Sequence, residues 1–183
     1  MIVFALAAAG LAAQPADPAP ELDRVARTAS VMVDGDVCRR IQTPRSRAFL
    51  LKKDPRDPFA ASDNYDVDHA AFLETKKTLM RLAHLCPEVC DVNLWMPVEG
   101  EPGRIGIVIR QVHEMSQFWK WGDLHQEMPP EMKRVLATGE RVTVRGRRGI
   151  VSVLAPVSDS LGDIVGLVEV VSEAQFDPRE NVK

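Results

Sequence analysis

The sequence predicts an α+β domain: a single five-stranded antiparallel sheet, a long helix covering one face and short helices covering the other. Two observations carry this. Apolar residues recur at helical spacing between residues 67 and 85. From residue 92 the pattern changes to alternation, and glycine-bearing turns cut residues 92–173 into strand-sized pieces.

Size and charge narrow the classes. The chain has 183 residues, which suits one domain with a short appendage. At 45% hydrophobic and 27% charged residues, a packed core is attainable and wholesale disorder is excluded. The net charge of −3 argues against a nucleic-acid partner, which selects a basic excess. No apolar run reaches the roughly 20 residues of a membrane-spanning helix.

Residues 1–16 carry no charge, residues 2–13 are apolar and alanine-rich, and residues 14–20 read QPADPAP. The pattern is that of a secretory signal followed by a proline-rich linker, giving residues 1–20 to export and placing the mature protein in the periplasm or outside the cell. The positive start of such a signal is missing, since the first arginine is Arg24. A buried N-terminal helix is the alternative, but it would carry polar positions. Fold reasoning therefore begins at Glu21.

Residues 21–66 form a helical and irregular segment. Leu22, Val25, Ala26 and Ala29 have helical spacing, and Asp34-Gly35-Asp36 interrupts the run. Residues 39–57 are basic, and Pro44, Pro55 and Pro58 break this stretch into short pieces. A solvated face is the default for it; an anionic partner or lipid surface is the other reading. Residues 63–69, DNYDVDH, resemble a calcium loop but lack the glycine and glutamate it needs, at His69 and Thr75. They read better as a helix start, with Asp66 or Asp68 capping. The helix over 67–85 carries Phe72, Leu79, Leu82 and Leu85, and Pro87 stops it.

Val92, Leu94 and Met96 alternate with Asn93 and Trp95, giving the first strand. After a turn at 100–103, residues 104–112 form the second, with Ile105, Ile107 and Ile109 on one face. Residues 115–126 read as a helix with three aromatics, and a short helix follows over 131–137, ended by Gly139. Strands at 141–145, 150–157 and 164–172 complete the sheet, joined by turns at 146–149 and 159–163. Residues 174–183 form a polar tail.

Cys38, Cys86 and Cys90 are too few for a disulfide framework. After export they would meet an oxidising compartment. Three intervening residues exclude a CxxC redox pair or a haem-attachment site at Cys86 and Cys90. One structural disulfide among the three and one buried thiol is the expected outcome, with the pairing open. A metal site from Cys86, Cys90 and His84 lacks a nearby fourth ligand, and no cofactor is called for.

Nothing announces catalysis: GxSxG, HExxH and phosphate-loop motifs are missing, and Asp123 and His125 have no nucleophile beside them. A non-catalytic protein is expected.

Residues 132–140, MKRVLATGE, and the closing pair SVLAPV at 152–157 and GDIVGLVEV at 162–170 resemble the PAS-like extracellular sensor domains of the Cache, or PDC, family. The likeness covers residues 67–173. It implies a PAS-like sheet, with a ligand between the sheet and the short helices. On that placement the candidate binding residues are Arg110, His113, Trp119, Trp121, Ser152 and Glu169. Arg110 could fork onto a carboxylate or simply pair with Glu114. Trp119 and Trp121 could wall a pocket or pack in the core, but positions two apart share no helix face. Ser152 and Glu169 interrupt apolar strands, and a buried Glu169 would need a partner such as Arg110 or Arg134.

Sensors of this family sit between membrane helices, whereas here only a short tail follows Glu173. The resemblance therefore implies a stand-alone exported domain that binds a small organic ligand, such as an organic anion, and passes occupancy to a separate partner such as a membrane receptor, or pairs as a homodimer. The alternative is a pocketless PAS-like module for protein–protein interaction or dimerisation.

Overall fold

A computed structural model describes residues 17–51, 66–120 and 122–173. The order of elements is α1 (Ala19–Met32), α2 (Gly35–Ile41), α3 (Pro44–Leu50), α4 (His69–Ala83), β1 (Asp91–Pro97), β2 (Arg104–Ile109), β3 (His125–Glu127), α5 (Pro130–Thr138), β4 (Val142–Arg145), β5 (Ile150–Ser158) and β6 (Ile164–Glu173). The sheet is antiparallel, in the order β3-β2-β1-β6-β5-β4. It has six strands, one more than the alternation predicts.

Local chemistry sets the helix ends. The first turn of α1 tolerates Pro20 because its N–H would have no intrahelical partner there. Asp34 stops α1 and starts α2, accepting from the Asp36 and Val37 amides at 2.8 and 3.2 Å. Thr43 caps α3 through the Ser46 amide at 3.1 Å, and its hydroxyl donates to the Asp66 carbonyl at 2.7 Å. Of the two caps considered for α4, Asp68 is the one used, bonding the Ala71 amide at 3.0 Å. At the end of α5, Gly139 takes φ +71°, the left-handed conformation that glycine adopts without a Cβ penalty.

Two cores flank the sheet. On one face α1, α2 and α4 bury Leu22, Val25, Ala29, Ile41 and Leu79 against Val92, Leu94, Val153 and Val168. Residues 19–41 thus contribute to the main core, and α1 begins inside the stretch read as a linker. On the other face α5 sets Met132 and Val135 against Trp95, Ile105, Leu154 and Leu167. Leu94 and Trp95 point to opposite cores, as the two-residue period of a strand requires. Ion pairs tie the helical layer to the β4 edge: Arg145 forks onto both Asp17 oxygens at 2.8 and 2.7 Å, and Arg141 reaches Asp23 at 2.8 Å.

The helix expected over 115–126 does not form. Met115, Gln117, Phe118 and Trp119 give their backbone N–H groups to side chains instead of to carbonyls four residues back. Glu114 and Gly122 both take positive φ, +54° and +91°, which no continuous helix accommodates. Residues 125–127 then pair with Arg104, Ile105 and Gly106 as the sixth strand. Arg104 secures it, donating from Nε to His125 Nδ1 at 2.6 Å. Of the two short helices expected on this face only α5 is present, and β2 ends at Ile109 rather than at residue 112.

Gly166 lies where β6 crosses β1, and a Cβ there would sit 2.7 Å from the Trp95 carbonyl oxygen. Backbone of a central strand cannot withdraw cheaply. Gly166→Ala is therefore expected to cost about 1–3 kcal/mol, seen as a lower urea midpoint at unchanged slope.

Candidate functional site

The face of the sheet that meets α5 carries a set of buried polar side chains. Asp91, Asn93 and Trp95 alternate along β1, and Asn93 stands opposite Glu169 on β6. Ser152 lies on the neighbouring β5. Asp91, Asn93, Ser152 and Glu169 are each at most 1% exposed.

Glu169 is the hub. Its Oε1 accepts from the Ser152 hydroxyl at 2.8 Å and the Gln117 amide at 3.0 Å. Its Oε2 accepts from the Ser116 hydroxyl at 2.7 Å and the Trp95 indole N–H at 3.1 Å. Ser116 Oγ in turn accepts from the Phe118 and Trp119 amides at 3.1 and 3.0 Å. Burial raises the Glu169 carboxyl above the ordinary range, and the four donors pull it part of the way back.

Asp91 and Asn93 hold the start of the same segment. Asp91 Oδ2 accepts from the Met115 amide at 2.9 Å, and Oδ1 lies 2.8 Å from His113 Nδ1. Asn93 donates to the Met115 carbonyl at 2.8 Å and accepts from the Gln111 amide at 3.1 Å. Residues 111–119 are therefore a loop bolted to the sheet by side chains of β1, β5 and β6.

Of the residues predicted to bind, Ser152 and Glu169 do meet, but as anchors of this loop. Neither Arg110 nor Arg134 is the partner Glu169 needed: Arg134 pairs with Glu140 at 2.8 Å. Arg110 is on the loop's entry, its guanidinium 3.1 Å from Glu114 and 4.1 Å from the centre of the Trp119 ring. Trp119 packs beside the α5-side core and donates its indole N–H to the Asp123 carbonyl at 3.0 Å. His113 is engaged with Asp91. Trp121 lies outside the described residues. Asp91, Asn93, Gln111 and Ser116 were not singled out from sequence, although Asp91 and Asn93 share a strand face with Trp95, a visible signal.

A cleft of about 460 Å3 opens beside this loop. Gln111, Val112 and His113 form one wall, the end of α4 at Met80 and His84 another, and residues 86–90 close it. Cys86 and Cys90 are joined in a disulfide across that closing segment, with Cα atoms 6.2 Å apart. A ring this short constrains the unfolded chain by about 2 kcal/mol. Cys38 is a buried thiol between α2 and α4, and burial pushes it up to about 12. Among the described residues, no group of three or more His, Cys, Asp or Glu side chains could hold a metal ion, and no helix is long and apolar enough to cross a membrane.

No protein-family model matches the chain, and no curated protein matches it.

Glu169→Leu leaves four donors without an acceptor and is expected to cost about 3–5 kcal/mol. The pH dependence has a definite sign. The folded carboxyl is raised above its unfolded value, so the native state holds more protons from about pH 4.3 upward. Its contribution to stability is full below that pH and is lost as pH rises through the folded value. Urea melts across that window should show this slope, and Glu169→Gln should flatten it.

Proposed function

We propose that the chain is an exported, non-catalytic sensor-type domain of the PAS-like extracellular class, which binds a small organic ligand and passes occupancy to a separate partner. The architecture supports the class: the first and last strands lie side by side at the centre of an antiparallel sheet, with helices on both faces. The Cys86–Cys90 bridge suits an oxidising compartment, in keeping with export.

The observation that carries the reading is the loop of residues 111–119. One of its edges walls a cleft whose volume falls within the roughly 300–1,000 Å3 of small-molecule sites. Four side-chain-to-backbone bonds, at Gln111, twice at Met115 and at Gln117, and the Ser116–Glu169 contact tie the loop to the central strands. A ligand pressing on residues 111–113 thus acts on groups joined directly to β1, and through Ser116 and Gln117 of the same loop to β6. Contacts of this kind are what a sensor needs, because occupancy must bias the body of the protein. The cleft replaces the site expected between the sheet and the short helices, where Ser152 and Glu169 are saturated by the loop.

An interaction module is the second reading, favoured by the exposed apolar side chains Met80, Leu85, Val89 and Val112 at and beside this cleft. A thermal-shift screen against organic acids, amino acids and other small metabolites separates the two. The sensor reading expects a compound that raises Tm by mass action, with the shift lost in Val112→Asp, which places a charge on the cleft wall, and retained in Arg110→Ala. A folded, monodisperse protein that no compound shifts would transfer the function to the interaction module.

A further inference from the structure

Gln111 carries an unanswered donor at the cleft. Its side chain is 6% exposed and lines the cavity, yet its Nε2 is sealed from solvent with no hydrogen-bond acceptor. Its backbone is fixed by Asn93, so the residue cannot simply swing out. Native structures rarely leave a buried amide in this state, and such groups call for a specific explanation. Gln111 belongs to the cleft lining, so the amide must turn toward the cleft for an incoming acceptor to take its N–H.

The rest of the lining selects the ligand. Met80, Ala83, Pro87, Val89 and Val112 offer apolar surface. Glu88 stands on the rim, Asp91 lies at the base, and the carbonyl end of α4 points to the same side. Those groups oppose an anion, since a helix C-terminus carries partial negative charge. His84 and His113 are the only cationic candidates among the described lining residues, and Asp91 already engages His113. Arg110, the anion contact expected from sequence, does not line this cleft; it pairs with Glu114.

We infer that the cleft beside the Cys86–Cys90 bridge takes a small uncharged molecule with a carbonyl acceptor and an apolar tail, the carbonyl accepting from Gln111 Nε2. This rests on the sensor-type reading and names its ligand class. The unfilled donor is then a feature of the ligand-free state: it weakens the empty protein and rewards occupancy, a trade common at binding sites.

The test uses γ-octalactone as the neutral carbonyl probe and hexanoate as the charged one, titrated by calorimetry into the wild-type domain and two variants. The lactone should bind saturably at one site and more tightly than hexanoate. Gln111→Met should weaken the lactone about tenfold, the scale of one hydrogen bond, while raising the Tm of the unliganded protein, because an unsatisfied donor is replaced by a methionine of similar shape. Val112→Asp, at a side chain 73% exposed and so safe for folding, should abolish binding. A Gln111→Met protein that binds equally well, or melts lower, makes Gln111 a structural residue and overturns the inference. Tighter binding of hexanoate, or no lactone binding, overturns it too. If some other compound still shifts Tm in a Val112-dependent way, the sensor reading survives that failure; if none does, both fall.

Discussion

A carboxylate sealed inside a sheet must have its lone pairs filled, and the way Glu169 fills them decides the path of the chain between β2 and β3. Water is excluded there, so all the donors must come from protein. Two come from the sheet itself, Trp95 and Ser152, and two from residues 116 and 117. The loop is thereby drawn onto the sheet, and Asp91 and Asn93 complete its attachment. With the loop in place, Phe118 and Trp119 pack against the α5-side core. Gln117 reaches across to the Val144 carbonyl at 2.9 Å, linking the same loop to the β4 edge. A buried charge-bearing group thus costs solvation but specifies one arrangement of a segment whose own propensity points elsewhere.

The two faces of the sheet answer different demands. The helical face is an apolar core in which α1, α2 and α4 close over β1, β5 and β6. That core includes the Cys38 thiol, held in its neutral form by burial. The opposite face mixes an apolar patch beneath α5 with the polar anchors of the loop. The cleft sits where the anchored loop meets the end of α4, and the disulfide-bridged residues 86–90 close it. A rigid frame with one open edge is a suitable arrangement for recognising a small molecule.

Much of the architecture was legible. α1, α4 and α5, and the strands β1, β2, β4, β5 and β6, follow from periods of 3.6 and 2, from the interruption at Asp34-Gly35-Asp36, from a cap at Asp66 or Asp68, and from Gly139. What escaped had a physical cause in each case. Residues 115–126 have aromatics at helical intervals, but acceptors 24 and 52 residues away in the chain claim the Met115 and Gln117 N–H groups, and the Ser116 hydroxyl oxygen claims those of Phe118 and Trp119. β3 consists of His-Gln-Glu, which has no apolar alternation, and exists because β2 has an open edge and Arg104 grips His125. At the candidate site, Ser152 and Glu169 stood out as polar interruptions of apolar strands. Gln111 did not, because its significance lies in a partner it lacks, and a missing partner is invisible without coordinates.

By itself the sequence determined the class of fold, the position of most elements, the alternation that sends Leu94 and Trp95 to opposite cores, and the presence of polar residues where the sheet should be apolar. These depend on neighbours within a turn or a strand, so local spacing suffices. Tertiary structure decided the sixth strand, the loop in place of a helix, the pairing of Cys86 with Cys90, and the conversion of Glu169 from a ligand contact into an anchor. The disulfide depends on which thiols the fold brings within bonding reach, and the others on which distant donor meets which acceptor once water is excluded; both are settled only when the sheet closes.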